Sequence, residues 1–278
     1  MGEQDKTATT IQRPTTNDLD GWKAYWKAQG QPWRTEPEID AERQKYLADR
    51  RSVTPDIEQG IYPFKDIKLC RADIEWLLAT HGHGRGPVDW SDPKQRGREG
   101  VDLRGADLRG EDLRRLPLAK LCAGFNLAKT SFTDWKEATV AQREAAAVHL
   151  EGANLFQAHL EGASLWRAYL RDANLEEARL EGANLFRAHL EDANMSEAYL
   201  AGADLRVAFF TNATTQRDTV LGDDEYGFIF VADLRWADAN LALIKWPQRN
   251  WTKVLLLGDE REACLLYTSD AADDLTRV

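Results

Sequence analysis

The most regular feature of the chain is an apolar residue that returns every five positions through its centre. The series runs without a break from Leu150 to Phe210, and from Ala153 to Ala208 an alanine stands two residues before each member, twelve times in succession. A step of five residues advances about 140° beyond a full turn on an α-helix, so an ordinary helix would spread these leucines around its surface. On a flat strand, an odd step would turn alternate leucines to opposite faces. The period therefore predicts a chain that turns after every five residues.

Four such sides close a square coil of about twenty residues, and successive coils stack at roughly 4.8 Å through strand-type hydrogen bonds. The central leucine of each side fills the interior, and the alanine two positions earlier fits where only a small side chain has room. The other three positions of each side face water. The predicted core residues are Leu155, Leu160, Leu165, Leu170, Leu175, Leu180, Leu185, Leu190, Met195, Leu200 and Leu205.

Two segments carry a recognisable form of this repeat. Ala153-Asn154-Leu155-Phe156-Gln157 and Ala183-Asn184-Leu185-Phe186-Arg187 match the pattern A-(D/N)-L-x-x, and the chain resembles the pentapeptide-repeat family in this respect. The resemblance covers residues near 101–130, 148–215 and, more loosely, 230–252. It implies an all-β solenoid, a right-handed quadrilateral β-helix, preceded here by a small α-helical N-terminal domain. About 23 sides would make nearly six coils and a rod of roughly 28 Å.

Residues 18–97 have a different, tryptophan-rich pattern that predicts helices. Aromatic residues recur at helical spacing within residues 22–26, and Thr35 with Glu38 forms a capping-box pattern ahead of a second apolar stretch. A third helix is predicted over residues 71–80. The expected role of this domain is to cover the first coil, because an open solenoid end exposes unpaired strand edges and apolar core.

Residues outside the repeats complete the predicted organisation. Residues 1–17 are polar and predict a disordered tail. The solenoid is expected over 98–263, with a helical insertion near 133–147, for which Thr133 is the candidate N-cap, and a loop near 215–227. Residues 264–278 resemble the translation of a sequencing-library adapter, so we expect a non-native tail on a truncated fragment.

Composition narrows the classes of function. The formal net charge is -10 and the mean hydropathy is -0.55. The charge disfavours direct binding of nucleic acid, since phosphates require a basic surface. No apolar run approaches the twenty or so residues of a membrane span, so no membrane contact is expected within this stretch. Three widely spaced cysteines predict neither a disulfide framework nor a zinc site, and a reducing cytoplasm is the expected location.

The candidate chemistry is sparse. His81-Gly82-His83-Gly84 offers two imidazoles, whereas catalytic zinc usually takes three protein ligands. The glycines that follow lack the Gly-Lys-Ser/Thr ending of a phosphate-binding loop. No nucleophile stands beside an evident base. The sequence therefore predicts a protein that is not an enzyme, with no cofactor and no metal.

Residues twenty apart stack in a solenoid of this kind, so its outer surface is predicted as columns. One side carries the acidic residues Glu176, Glu177 and Glu197, while the opposite side is aromatic and basic. Stacked aromatic rings and Asn ladders stabilise adjacent coils without any partner, and that alternative stays open. Exposed aromatic and arginine side chains also have the composition of interface anchors. The predicted binding residues are Trp166, Arg167, Tyr169, Phe186, Arg187 and His189.

Three hypotheses of function follow. The first is a non-catalytic scaffold that binds another protein. The second follows from the resemblance, because some members of the family resemble duplex DNA and protect DNA gyrase from quinolones; residues 150–210 hold ten acids and five bases, and the interspersed arginines weaken it. The third is an enzyme in the N-terminal domain, for which the sequence offers no catalytic constellation. A further alternative is the cytosolic docking part of a truncated membrane protein, since residues 231–262 look like bacterial proteins in which the repeats lead into a helical segment and then membrane helices. Self-association through a solenoid end is a further expectation.

Overall fold

The computed structural model describes residues 12–125, 139–200, 202–205 and 208–209. Five helices lie in this part of the chain: α1 (Leu19–Ala28), α2 (Ala41–Arg51), α3 (Arg71–Ala79), α4 (His81–Gly84) and α5 (Val140–Glu144). The short α4 is distorted, with Gly82 and His83 in the left-handed region. The β-structure consists of single-residue bridges, nearly all of them parallel. None of the helices in the described ranges is long and apolar enough to cross a membrane.

The bridges show a four-sided coil. From residue 149 onward each bridge joins residues 20 positions apart, as in His149↔Tyr169 and Asn154↔Asn174, and neighbouring bridges start five residues apart. Twenty divided by five gives four sides per turn. The bridge positions run from 102 to 122 and again from 149 to 209, which is eighteen sides, or four and a half turns, within the described residues. The sides predicted beyond residue 209 lie outside this part of the chain.

Each side of the coil uses its five positions in the same way. In the side Ala153–Gln157, Ala153 and Leu155 are fully buried, and Asn154 between them makes the bridge to the next coil. The corner is closed by the amide of Ala158, which donates to the carbonyl of Leu155 at 2.9 Å. Gln157, the third residue of this turn, has a φ of 54°, as a type II turn requires. The leucine and alanine positions of the predicted core are therefore the interior.

One interruption separates the first coil from the rest. The bridge Asp107↔His149 spans 42 residues instead of 20, so 22 residues are inserted within this turn. The side that contains Cys122 ends at Phe125, and the next described side of the coil begins at Val148. The predicted start of the insertion, near residue 133, lies outside the described residues. Thr133 lies outside the described residues, and the N-cap of α5 is Thr139, whose hydroxyl accepts from the amide of Gln142.

The N-terminal region is built around α1 and a buried carboxylate on α3. Trp22 and Trp26 of α1 stack with ring centroids 5.4 Å apart. Glu75 is fully buried and accepts hydrogen bonds from the amides and hydroxyl of the Thr35–Glu36 segment and from Arg71. Thr35 is thus bound to Glu75, and the capping-box prediction for Thr35 and Glu38 was wrong.

The start of α2 shows what replaces that capping box. Its N-cap is Asp40, whose carboxylate accepts from the amide of Arg43 at 2.7 Å, and the helix begins at Ala41. Thr35 lies too early in the chain to serve this helix. The third predicted helix, by contrast, is present as α3 and ends one residue earlier than expected.

This region also closes the open end of the first coil. The amide of Leu69 donates to the carbonyl of Asp107 at 3.0 Å, and the amide of Asp107 donates to Ile67 at 2.9 Å, so residues 67–69 pair with the first coil. Ile74 and Leu77 of α3 belong to the same buried cluster as the solenoid leucines. The helical region therefore covers both the edge and the core of the coil, as the sequence led us to expect.

Candidate binding surfaces

Trp166 is buried in the structure and does not lie on the predicted binding surface. Its side chain is only 2% exposed, and it packs in a second buried cluster with Tyr62, Phe125 and Ala146. The ring centroids of Phe125 and Trp166 lie 5.4 Å apart. Sequence reasoning placed Trp166 on the surface because it treated the solenoid alone, whereas the inserted segment and the N-terminal region fold over this corner.

Arg167 is also largely used within the molecule. Its guanidinium donates to the Glu144 carboxylate of α5 at 2.5 Å, and its side chain is 14% exposed. Tyr62 donates its hydroxyl to the carbonyl of Gln142, and the Gln142 amide donates to the carbonyl of Glu58. We call α5 and these contacts the clasp, because they tie the insertion to both the solenoid and the N-terminal region.

Of the other predicted binding residues, Phe186 and Arg187 lie one coil beyond Trp166, and Tyr169 and His189 lie on the neighbouring side of the coil. Phe186 stacks on Trp166 with centroids 6.2 Å apart, and the Arg187 guanidinium lies 5.7 Å from the Phe186 ring. Tyr169 and His189 are half-buried members of a continuous stack, the ring column, with successive centroid distances of 4.6, 5.2 and 4.6 Å. The ring column consists of His149, Tyr169, His189 and Phe209. Because its ring faces meet one another, a partner would contact mainly their edges.

The histidines of the solenoid share a pattern that sequence reasoning missed. His149, His159 and His189 each place Nδ1 3.0–3.1 Å from the carboxylate two residues later, that of Glu151, Glu161 or Glu191. Burial raises the pKa of Glu191, but the hydrogen bond from His189 and the nearby Arg171 outweigh it, so the pKa lies below its ordinary value. The signal in the sequence is the thrice-repeated His-Leu-Glu, which sets an imidazole and a carboxylate on the same face.

The predicted acidic column is partly used inside the coil stack. The Glu177 carboxylate accepts from Gln157 at 2.6 Å, and that of Glu176 accepts from Asn194 at 3.2 Å. Asn194 also donates to Asn174 at 3.3 Å, within the Asn ladder that the sequence predicts. Glu197 is exposed. This side therefore presents fewer unengaged charges than the sequence alone indicates.

The two imidazoles of the Gly-rich loop lie in different environments. The ring of His81 lies with Nε2 at 2.7 Å from the carbonyl of Glu99, while His83 is exposed. No group of three potential metal ligands is found among the described residues. His81 thus has a structural contact that ties the end of α3 to the segment leading into the first coil.

A depression that the sequence did not predict lies where the N-terminal region meets the solenoid. Three adjoining cavities of about 420, 510 and 360 Å³ all have Arg115 in their walls. The first and third also share Trp33, and the second and third share His159 and Arg179. We call this continuous depression the junction groove; its walls include Trp33, Trp90, Arg115, Phe156, His159 and Arg179.

The repeats match the model of a known protein family. Residues 149–185 and 183–214 match the model for pentapeptide repeats, in 8 copies. No curated protein matches the chain. Solved structures that are similar include a pentapeptide-repeat protein from the Arabidopsis thaliana thylakoid lumen, with 22% identity, coverage of 60% of this chain and 76% of that one, and a TM-score of 0.28.

Two further solved structures were found. A pentapeptide-repeat protein from the cyanobacterium Cyanothece 51142 has 26% identity, covers 42% of this chain and 88% of that one, and gives a TM-score of 0.15. QnrB1, a plasmid-mediated fluoroquinolone resistance protein, has 15% identity, coverage of 62% and 83%, and a TM-score of 0.26. At these scores the superpositions carry no argument, and the assignment rests on the repeats. Residues 149–214 of the chain are pentapeptide repeats, and a helical region lies before the solenoid.

Proposed function

We propose that the chain is a non-catalytic protein-binding scaffold, whose partner contacts the exposed part of the predicted corner. The observation that carries the proposal is the rigid presentation of Phe186, Arg187 and the ring column on the coil ladder. The amide of Arg167 donates to the carbonyl of Phe186 at 2.9 Å, and the amide of His189 donates to Ala168 at 2.9 Å. Side chains held on such a ladder lose little conformational entropy on binding.

Arg187 is the central residue of the proposed surface. It is exposed, and no carboxylate of the described residues lies within ion-pair distance of it. Arginine beside an aromatic ring is the combination that contributes most to interface hot spots, since it offers a large contact area with several donors. Proteins of this family are in general structural or interaction proteins, which supports the same proposal.

The alternative partner is DNA gyrase, which the resemblance to quinolone-resistance proteins brings into consideration. It would use the acidic column of Glu176, Glu177 and Glu197 against a basic surface. Two of these carboxylates already accept hydrogen bonds from Gln157 and Asn194 within the solenoid. We therefore place the partner on the aromatic and basic corner, and we expect it to be a cytoplasmic protein.

Capture of partners by cross-linking, with two paired variants, tests this proposal. Phe186→Ala/Arg187→Glu changes the corner, while Glu176→Lys/Glu177→Lys reverses the acidic column, and both leave the inward leucines intact. We expect the captured set to be reduced by at least about tenfold in the first variant, as for loss of a hot spot, and to persist in the second. Mass spectrometry of the cross-linked peptides gives the measurement.

Two outcomes contradict the proposal. Loss of gyrase only on charge reversal of the acidic column would replace the scaffold with the DNA mimic. A captured set that neither variant changes would place the partner on another surface of the chain. Thermal melting of both variants serves as the folding control.

A further inference from the structure

We propose that the junction groove is a second binding site, which takes an acidic peptide segment through Arg115. Arg115 lies at the corner after Leu113, and it lines all three cavities of the groove. It is exposed, and it adopts a φ of 59° at the third position of its turn. Its side chain therefore stands where the three cavities meet.

The argument begins with the charges of the groove. Every other cation in its walls has a carboxylate partner: Arg71 with Glu75 at 2.8 Å, Arg114 with Asp112 at 2.6 Å, Arg179 with Glu181 at 3.0 Å, and Lys23 with Asp20 at 3.0 Å. Arg115 pairs with no carboxylate in the described part of the chain. Its Nε donates to the side-chain carbonyl of the neutral Gln157 amide at 2.7 Å. Both terminal nitrogens of the guanidinium therefore have no hydrogen-bond partner among the described residues.

Most carboxylates of the groove are, by contrast, already engaged. The exception is Glu36 in the wall of the first cavity, which accepts only from the Thr35 hydroxyl among the described residues, at 3.4 Å, and burial raises the pKa of its carboxyl group. Glu161 is fully buried and pairs with Arg179 at 3.2 Å, and Glu177 accepts from Gln157. Asp89 accepts from the Ser91 hydroxyl and amide, and these hydrogen bonds hold the pKa of Asp89 below its ordinary value. The unmatched charge at the point where the three cavities meet is therefore the positive charge of Arg115. A guanidinium with two free nitrogens binds a carboxylate through two parallel hydrogen bonds.

The apolar walls on either side of Arg115 define the rest of the ligand. The Arg115 guanidinium lies 5.9 Å from the Phe156 ring, and Phe156, Trp33 and Leu19 line the first cavity. Trp33 and Trp90 line the third. Half-buried aromatic walls of this kind accept a large apolar side chain. The chemistry that fits is a peptide with one Asp or Glu next to a large apolar residue.

The position of Arg115 in its column provides variants that keep the fold. Residues 157, 177 and 197 occupy the same corner in later coils, where Gln157, Glu177 and Glu197 adopt φ values of 54°, 54° and 57°. Glutamine and glutamate are thus native at this position, so Arg115→Gln and Arg115→Glu preserve the turn. Phe156→Ser copies Ser196, which holds the matching position two coils later.

Selection of displayed random twelve-residue peptides on the full chain tests the site. We expect enrichment of peptides with a single acid beside a Phe, Trp or Leu residue. A synthetic peptide from that pool should bind at least about tenfold more weakly to Arg115→Glu, as for the loss of a charge-assisted pair, and more weakly to Phe156→Ser. Fluorescence anisotropy of the labelled peptide gives the dissociation constants.

The matched control is Arg187→Glu, which reverses an exposed arginine that also has no carboxylate partner among the described residues, and it should leave this affinity unchanged. Equal affinity of the peptide for wild type and Arg115→Glu would overturn the proposal, as would enrichment of basic peptides or no enrichment at all. Arg187 belongs to the surface proposed for the scaffold function, whereas Arg115 belongs to the junction groove. Failure of the scaffold proposal and failure of the groove proposal are therefore detected with different variants.

Discussion

At the scale of the residue, each position of a five-residue side meets a different requirement. The inward leucine and the alanine two positions earlier are shielded by coils above and below, and both are buried in every side of the described solenoid after residue 148. The third turn residue must accept a positive φ, yet Arg167, Glu177 and Arg187 hold it without being glycine. Such residues are tolerated because the coil ladder on both sides fixes the turn.

The leucine positions allow a sharp test of this arrangement. Leu180 is fully buried, so Leu180→Asp places a carboxylate among apolar side chains, and we expect a loss of roughly 3–5 kcal/mol of unfolding free energy. Glu197→Ala changes an exposed corner residue and leaves the backbone requirement of the turn the same. Its free energy of unfolding should stay within about 0.5 kcal/mol of the wild-type value. Chemical denaturation gives both values. Similar losses in the two variants would show that Leu180 does not face the interior.

This scale is also where the sequence was most informative. A strict period fixes which side chains point inward, because the coil closes only if every fifth residue does so, and the alanines follow from the space left beside the leucines. Trp166 shows the limit. Its place in the repeat indicates the surface, but Tyr62 and Ala146, distant in sequence, cover it, and no local pattern encodes that contact.

At the scale of the element, α5, which lies between two sides of the coil, shows how a solenoid gains a lateral attachment. The coil is described up to Phe125 and again from Val148, whose amide donates to the carbonyl of Ala123 at 2.9 Å and so keeps the register of the coil. The helix-forming composition of the insertion was readable from the sequence.

Trp166 packs with Tyr62 and Ala146 beside the clasp, so we expect the clasp to depend on it. Trp166→Ala should lose about 3–5 kcal/mol through the cavity it leaves, and the amides of α5 should then exchange faster with solvent. Phe186→Ala, which truncates the half-buried ring one coil further from the clasp, should cost less and leave exchange in α5 near the wild-type rate. Hydrogen exchange followed by mass spectrometry measures this difference. Equal protection of α5 in wild type and Trp166→Ala would mean that the helix does not depend on this contact.

At the scale of the whole molecule, the helical region and the solenoid form one continuous core. Leu69, Ile74 and Leu77 are buried in the same cluster as Leu103 and Leu108 of the first coil. Arg71 adds a polar link, because its guanidinium donates to the carbonyl of Asp112 at 2.8 Å while it also pairs with Glu75. The sequence predicted a cap from the general need to cover a solenoid end. It could not predict the junction groove, whose walls come from segments far apart in the chain.

The cap leads to a prediction about the chain as a unit. Removal of residues 1–97 would expose the edge of the first coil at Asp107 and the apolar side chains now covered by Leu69 and Leu77, and an uncovered strand edge is a template for association. We expect the shortened chain to self-associate, with a mass above the monomer in sedimentation. Leu69→Asp in the full chain places a charge at a fully buried position of the same contact, and it should lower the melting temperature by several degrees. Lys68→Ala, which changes an exposed side chain next to it, is the control and should melt close to the wild type. A shortened chain that remains monomeric and melts like the full chain would show that the solenoid end needs no cap, and the helical region would then have to be explained by the junction groove alone.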